Sequence, residues 1–189
     1  MDRLRSSKKN RSHRPVVSPT ILGLPIEVTF RPALKAHRGK TLSGKTARGS
    51  EVHGASFLRQ RRIVLDAALK NQPRELARIL THELFHFAWL RLGNSKRRSF
   101  EDLVRREIEG RIEGELGWSA ESMKTALRGE DSSRRSKRWR EYICESFCDS
   151  AAWLLAGNGA HEEFTLPLAA RRLRRGWFEQ ARLTRQISV

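Results

Sequence analysis

The order of apolar and polar positions predicts short strands in the first third of the chain. Residues 26–30 alternate between apolar and polar side chains ahead of Pro32, so we expect a strand that ends at the proline. A polar loop follows over 38–50, and residues 51–58 and 62–67 predict two further strands. The second of these is apolar and β-branched, which is typical of the central strand of a small sheet.

The remainder of the chain has helical spacing. Apolar residues recur at that spacing over 73–92, 100–116, 139–155 and 166–183, which predicts four helices. The strands come first and the helices after, without the alternation of strand and helix that builds parallel α/β sheets. This order predicts an α+β fold with a small, mostly antiparallel sheet.

Length and composition indicate one domain with a tail. A chain of 189 residues suits a single domain of ordinary size. Residues 1–19 are basic and offer little to bury, so we expect a disordered tail there. We expect residues 20–189 to form the domain, with a helix and a basic, Ser-rich linker inserted over about 95–138.

Cysteine usage and hydropathy predict a soluble, cytoplasmic protein. Cys144 and Cys148, the two cysteines, are four positions apart on a predicted helix, so no disulfide framework is expected. This agrees with a reducing compartment. No apolar run approaches the roughly 18 to 20 residues that a membrane span needs, so no membrane partner is expected.

The charge is strongly basic. The chain has 38 Lys and Arg against 21 Asp and Glu, a net charge of +17. Such a field attracts polyanions, and basic clusters occur within 3–14, 134–140 and 171–185. Nucleic acid or another polyanion is therefore a candidate partner. The competing interpretation is that these runs are solvated faces, with aromatic residues such as Trp139 and Trp177 packed in the core.

The strongest chemical motif is an HExxH sequence, His82-Glu83-Leu84-Phe85-His86, inside the predicted helix 73–92. Residues four apart on a helix differ by about 40° around its axis, so the imidazoles of His82 and His86 project from one side, as two ligands of one Zn²⁺ must. Glu83 lies at the flank of the pair, where its carboxylate can reach a water. The competing interpretation is two histidines with this spacing by coincidence.

A hydrolytic zinc site needs a third protein ligand. Trp89 and Leu92 stand where metzincins have Gly and His, so that class is excluded. His161 is the other histidine downstream, and the helix 139–155 offers carboxylates on one face, namely Glu141, Glu145 and Asp149. Their spacing favours Glu145 with Asp149, one as a ligand and the other as the acceptor of a ligand histidine's remaining N–H. Glu141 fits an exposed acidic face equally well.

These motifs resemble the gluzincin clan of zinc metallopeptidases. Residues 145–155, ESFCDSAAWLL, are similar to the second motif of the compact ImmA/IrrE-type domain, and the resemblance covers about 60–156. It implies a zincin-like fold, in which the small sheet packs on the HExxH helix and on a second, glutamate-bearing helix. An edge strand, expected within 62–67, would bind an extended peptide by strand addition.

The resemblance also implies roles for individual residues. By it, His82, His86 and Glu145 are the zinc ligands, Glu83 is the general base and Asp149 is the partner of a ligand histidine. The segment between His86 and Glu145 is longer than compact members of the family usually have, and no helix-turn-helix segment accompanies it.

Peptide hydrolysis also needs a donor for the developing oxyanion. Tyr142, the one tyrosine, and His161 are the candidates, although ordinary packing or surface placement explains each of them too. Cys148 is a candidate thiolate that could block the zinc, although a small buried residue is the simpler interpretation.

Two functions follow from these features. The first is zinc-dependent hydrolysis of peptide bonds in a peptide or protein substrate, with Glu83 as the general base. The second is nucleic-acid binding by a protein whose zinc site is structural or vestigial.

Overall fold

The computed structural model describes residues 19–37, 40–44, 49–157 and 159–189; residues 1–18 of the predicted tail lie outside this part. The described chain forms an α+β structure, which confirms the predicted class. The strands are β1 Thr20–Leu22, β2 Glu27–Arg31, β3 Leu34–His37, β4 Lys40–Ser43, β5 Ser50–Glu51, β6 Gly54–Phe57, β7 Arg62–Asp66 and β8 Gln186–Ser188. The helices are α1 Pro73–Arg91, α2 Asn94–Glu109, α3 Trp118–Thr125, α4 Lys137–Leu155 and α5 Leu168–Gln180.

The strands of the described residues form three small sheets instead of one. β7 lies between β2, to which it is parallel, and β6, to which it is antiparallel, so the prediction of a central strand at 62–67 is confirmed. For the same reason this strand cannot be the edge strand, and the edge beside α1 is β6. β1 pairs in parallel with β8, and β3 pairs with β4 and β5 on a separate antiparallel sheet.

The helices are found near their predicted places, with two corrections. α2 begins at Asn94, before the predicted residue 100, because Gly93 precedes the helix as its N-cap residue. α3 lies inside the segment that was predicted to hold one helix and a linker. α4 begins where Ser136 Oγ accepts a hydrogen bond of 3.1 Å from the Trp139 amide, which satisfies one free donor of the first turn.

An aromatic cluster fixes α1 against α4. Phe85 of α1, Phe100 of α2, Phe147 of α4 and Phe178 of α5 are fully buried. The rings of Phe147 and Phe178 stack with centroids 5.2 Å apart. Burial of each such ring stabilises the fold by about 1.5–3 kcal/mol. The cluster therefore fixes the positions of the four helices relative to one another. This packing sets the distance between the HExxH motif and the carboxylates of α4.

No helix in the described ranges has both the length and the apolar character that a membrane crossing requires.

Candidate metal centre

Three predicted ligands converge between α1 and α4. His82 Nε2 lies 3.2 Å from His86 Nε2 and 3.3 Å from Glu145 Oε2, and His86 Nε2 lies 3.7 Å from Glu145 Oε1. The side chains of the two histidines and the glutamate are 11, 16 and 18% exposed, so the cluster is shielded but still open to solvent. The structure therefore brings together predicted ligands that are far apart in the sequence, since His82 and Glu145 are separated by 63 positions.

These distances fit a tetrahedral ion. Two ligand atoms that each lie about 2.0–2.1 Å from a tetrahedral zinc are separated by about 3.4 Å. The separations in the structure, 3.2 Å between the two histidines and 3.3 and 3.7 Å from them to the two different oxygens of Glu145, scatter about that value. Two imidazole nitrogens and one carboxylate oxygen are also donors that Zn²⁺ prefers. The residues present thus fit a zinc ion with one coordination position left free.

The electrostatics of the cluster point the same way. Burial lowers the pKa of His82, but Asp149 and Glu145 outweigh it, so the pKa of this imidazole is well above its usual range. Burial raises the pKa of Glu145, and the two histidines outweigh it and lower that pKa. The cluster therefore favours added positive charge, which a proton on His82 or a metal ion can supply.

Asp149 fixes the ring of His82. Its Oδ1 lies 2.7 Å from His82 Nδ1, which leaves Nε2 to face the cluster. Its Oδ2 accepts a hydrogen bond of 3.2 Å from the Ala120 amide in the first turn of α3. A Cβ at Gly117 would lie 2.3 Å from the Asp149 carboxyl carbon, so only glycine fits beside it. The predicted role of Asp149 as a partner of His82 matches this geometry.

The second histidine has a sulfur partner. Cys144 Sγ lies 3.5 Å from His86 Nδ1, and hydrogen bonds from Cys148 and His86 lower the pKa of Cys144 to about 6 against the effect of burial. His86, Cys144 and Cys148 have potential ligand atoms within 4.8 Å of one another. Cys148 is fully buried and belongs to this second group, whereas the group around Glu145 is formed by His82 and His86.

Strand β6 holds the predicted base. Ser56 Oγ lies 2.6 Å from Glu83 Oε2 and 2.8 Å from the Glu83 carbonyl oxygen, so its hydroxyl donates to this residue. A Cβ at Gly54 would lie 2.8 Å from Glu83 Oε1 and 2.9 Å from Ile79 Cγ2. Gly54 and Ser56 are two positions apart and face α1 together. The strand thus leaves room for the carboxylate and also orients it.

A cavity of about 280 Å³ opens onto this site. Its walls include His82, Glu83 and Gly54, together with Arg78 and Trp118. Arg78 is 5% exposed, and its guanidinium is bound by Glu75 and by Glu163, whose Oε2 lies 3.0 Å from Nη1. The cavity thus lies between β6 and α1, with His82 and Glu83 among its lining residues.

Tyr142 is not at the metal face, which corrects its predicted role. The side chain is fully buried, and its hydroxyl donates a hydrogen bond of 2.5 Å to Glu115 Oε1. That carboxylate also binds Arg174, which is itself 0% exposed. Because the phenolic proton is already donated within the core, Tyr142 cannot stabilise an oxyanion in this arrangement.

Glu141 and His161 also lie away from the converging ligands. Glu141 is half exposed and pairs with Lys137 at 3.3 Å, so it belongs to the exposed face of α4. His161 Nε2 lies 3.3 Å from Glu75 Oε2 and lines a separate cavity of about 540 Å³. Neither residue belongs to the groups of potential metal ligands found in the described residues.

The predicted basic cluster 134–140 is largely neutralised by carboxylates, whereas in the described cluster 171–185 an ion pair is formed by Arg174 alone. In 134–140, four cations each pair with a carboxylate at 2.7–3.3 Å, namely Arg134 with Glu130, Arg135 with Glu101, Lys137 with Glu141 and Arg138 with Asp131. In 171–185, Arg174 is buried between Glu107 and Glu115. The cluster 3–14 lies outside the described residues.

Sequence reasoning missed several residues that build this site. The one sequence feature that could have indicated Gly54 and Ser56 is that their strand, GASF, begins with small residues. Gly117 is the N-cap residue of a helix that was not predicted, Ala120 lies in its first turn, and no role in the site was predicted for Cys144. Contacts across more than 25 positions, such as Ser56 with Glu83, leave no local pattern in the sequence.

No protein-family model, curated protein or solved structure matches this chain.

Proposed function

We propose that this protein is a zinc-dependent peptidase with a zincin-like fold. The observation that carries the proposal is the convergence of His82 Nε2, His86 Nε2 and the Glu145 carboxylate, whose two oxygens lie 3.3 and 3.7 Å from the two histidines, close to the separations of a tetrahedral site. The packing of a sheet edge, the HExxH helix α1 and the glutamate-bearing helix α4 supports the fold assignment. In this proposal His82, His86 and Glu145 hold the ion, and Asp149 orients His82.

Zinc, when bound, would polarise a peptide carbonyl and lower the pKa of water. Glu83 is the chain's own base: its carboxylate takes a proton from the attacking water and passes it to the leaving amine. Ser56 holds Glu83 Oε2 in place and leaves Oε1, beside Gly54, for the water. The base stands next to the ligands in the sequence, yet it is bound by β6 and not by the ligand cluster.

The free edge of β6 is where we place the substrate. An extended peptide paired with β6 would pass along the cavity that contains His82 and Glu83. The sequence-based expectation put this edge at 62–67, but β7 already has partners on both sides. We therefore place the paired peptide on β6, the neighbour of β7, where Ser56 contacts the carboxylate of Glu83.

The test compares zinc-loaded wild type with Glu83→Gln on an unstructured protein substrate. We expect Glu83→Gln to keep one zinc per chain and to lose hydrolysis by roughly 10²–10⁴-fold, because only the proton transfer is removed. Glu109→Gln, an exposed glutamate at the end of α2, is the matched control and should be fully active. Zinc-loaded wild type without activity on extended peptides, or equal activity of wild type and Glu83→Gln, would contradict the proposal.

A further inference from the structure

A basic groove lies at the C-terminal end of α1, beyond the metal ligands in the middle of that helix. The groove has a volume of about 680 Å³ and is walled by the end of α1, the start of α2 and the segment between α5 and β8. Four of its lining residues are exposed cations, Arg91, Lys96, Arg182 and Arg185, and none of its lining residues is Asp or Glu. We call this feature the basic groove.

These cations differ from those of 134–140 because they are not neutralised. Within the described part of the chain, none of the four forms an ion pair, and Lys96 Nζ donates only to the Ala181 carbonyl at 3.2 Å. Cations from three separate segments are thus gathered in one concave surface without a counter-charge. Their mutual repulsion is relieved when an anion binds among them.

The start of α2 adds donors to the same surface. Gly93 precedes the helix without a side-chain cap, and the first turn has no acidic residue. Ser95 and Lys96, in that turn, line the groove. The free amide groups and the positive end of a helix of 16 residues therefore reinforce the four cations.

We propose that the basic groove binds the phosphodiester backbone of double-stranded nucleic acid. Arg, Lys, Ser and Gln side chains with a helix N-terminus are the groups that contact phosphates in such complexes, and all occur in this lining, Gln186 and Ser188 included. The lining has no aromatic residue, so it offers no platform on which unpaired bases could stack. The contact is therefore independent of sequence and favours a duplex.

The groove and the metal centre are separate. Arg91 follows His86 by five residues, which is about 8 Å along the helix axis. The metal ligands lie between α1 and α4, and Glu83 contacts β6, whereas the groove faces α2 and the segment before β8. Binding at the groove would bring nucleic acid to one end of α1 and leave the cavity beside β6 free.

The test is duplex binding, measured by fluorescence anisotropy with a labelled DNA duplex at several salt concentrations. The groove variant replaces Arg91, Lys96, Arg182 and Arg185 with Gln. The matched control removes the same charge elsewhere, with Gln at four exposed arginines, Arg31, Arg59, Arg128 and Arg172. Zinc content and thermal unfolding of both variants establish that the fold and the metal centre are intact.

We expect wild-type affinity to fall on the order of a hundredfold between about 50 and about 200 mM salt, as four phosphate contacts require. The groove variant should bind at least about tenfold more weakly at about 100 mM salt, with a slope of log K against log salt that is shallower by about 3 to 4. The control should stay close to wild type.

Four results would overturn the inference. One is equal loss of binding in the groove variant and the control, and another is no duplex binding by wild type at low salt. The third is competition by polyglutamate as strong as competition by unlabelled duplex, because the groove would then accept any polyanion. Tighter binding of single-stranded than of double-stranded DNA would contradict the assignment to a duplex.

Discussion

Helix α4 carries two buried polar clusters on neighbouring faces, and they differ in how their charges are balanced. On one face Tyr142 and Ser146 contact Glu115, whose carboxylate, with that of Glu107, binds Arg174. Every nitrogen of that guanidinium donates at 2.6–3.2 Å, and Lys124 Nζ lies 3.9 Å from Glu115 Oε1. The positive charges of Arg174 and Lys124 thus balance the negative charges of Glu107 and Glu115. We call this the complete cluster.

On the other face the negative charges are not balanced by positive ones when the histidines are neutral. Glu145 and Asp149 contribute two negative charges, while His82 and His86 are neutral in the form that binds metal. The two Nε2 atoms face each other at 3.2 Å, and at most one hydrogen can lie between them. A divalent cation held by His82, His86 and Glu145 would supply both missing charges. The difference separates a network that is complete within the protein from one that, in our proposal, receives an ion.

The largest effect is expected in the complete cluster. Arg174→Met leaves Glu107 and Glu115 buried without their cation, so we expect the free energy of unfolding to fall by about 3–5 kcal/mol. Denaturant unfolding of the metal-free protein measures this. Arg172→Met, an exposed neighbour on α5, is the control and should change stability little. A loss below about 1 kcal/mol would show that the cluster is not a structural network.

The incomplete cluster should gain stability from metal. Zinc that binds only the folded chain stabilises it by about 4 kcal/mol at a free concentration of a thousand times its dissociation constant. His82→Ala removes a ligand, so this zinc-dependent rise in melting temperature should disappear. Calorimetric scans with and without zinc measure it, and Arg172→Met should keep the whole shift. An undiminished shift in His82→Ala would place the metal elsewhere.

The contact between Asp149 and His82 predicts a smaller change, in zinc affinity. Asp149→Asn keeps the size of the side chain but weakens its hold on His82 Nδ1, so zinc affinity should fall about 10- to 100-fold. Competition with a chromogenic chelator measures the affinity. The control is Glu141→Gln on the exposed face of the same helix, which should bind zinc as wild type does. The reverse order of the two variants would show that the wrong carboxylate has been assigned.

The smallest effect concerns the base. Ser56→Ala removes the hydroxyl on Glu83, so we expect kcat to fall about tenfold with KM and zinc content unchanged, because only the orientation of the base is lost. Ser119→Ala, from the same cavity, is the control. Ser56→Thr, which retains a hydroxyl, should recover most of the activity. A change in KM alone would indicate that Ser56 contacts substrate instead.

The sequence predicted those parts of the site that depend on spacing within one helix. His82 with His86, and Glu145 with Asp149, are each four positions apart, and helix geometry then places each pair on one face. The α+β class and the central position of the strand at 62–67 followed from apolar patterning in the same way. These features need only local periodicity.

The features that were missed depend on distant contacts. α3 has eight residues, too few for a clear periodic pattern, and its first turn is anchored by Asp149 from α4. Arg174 belongs to a run of arginines that is typical of a solvated face, yet two buried carboxylates hold it in the core. Tyr142 lies one turn from Glu145, but the Tyr142 hydroxyl donates its hydrogen bond to Glu115, away from the metal ligands.

The most direct test of the central claim is a crystal structure of the zinc-loaded protein, with the ion located by anomalous diffraction. We expect one zinc per chain, within about 2.0–2.2 Å of His82 Nε2, His86 Nε2 and a Glu145 carboxylate oxygen. A zinc held instead by His86, Cys144 and Cys148, the second group of potential ligands, would contradict it. A folded protein that takes up no metal would contradict it as well.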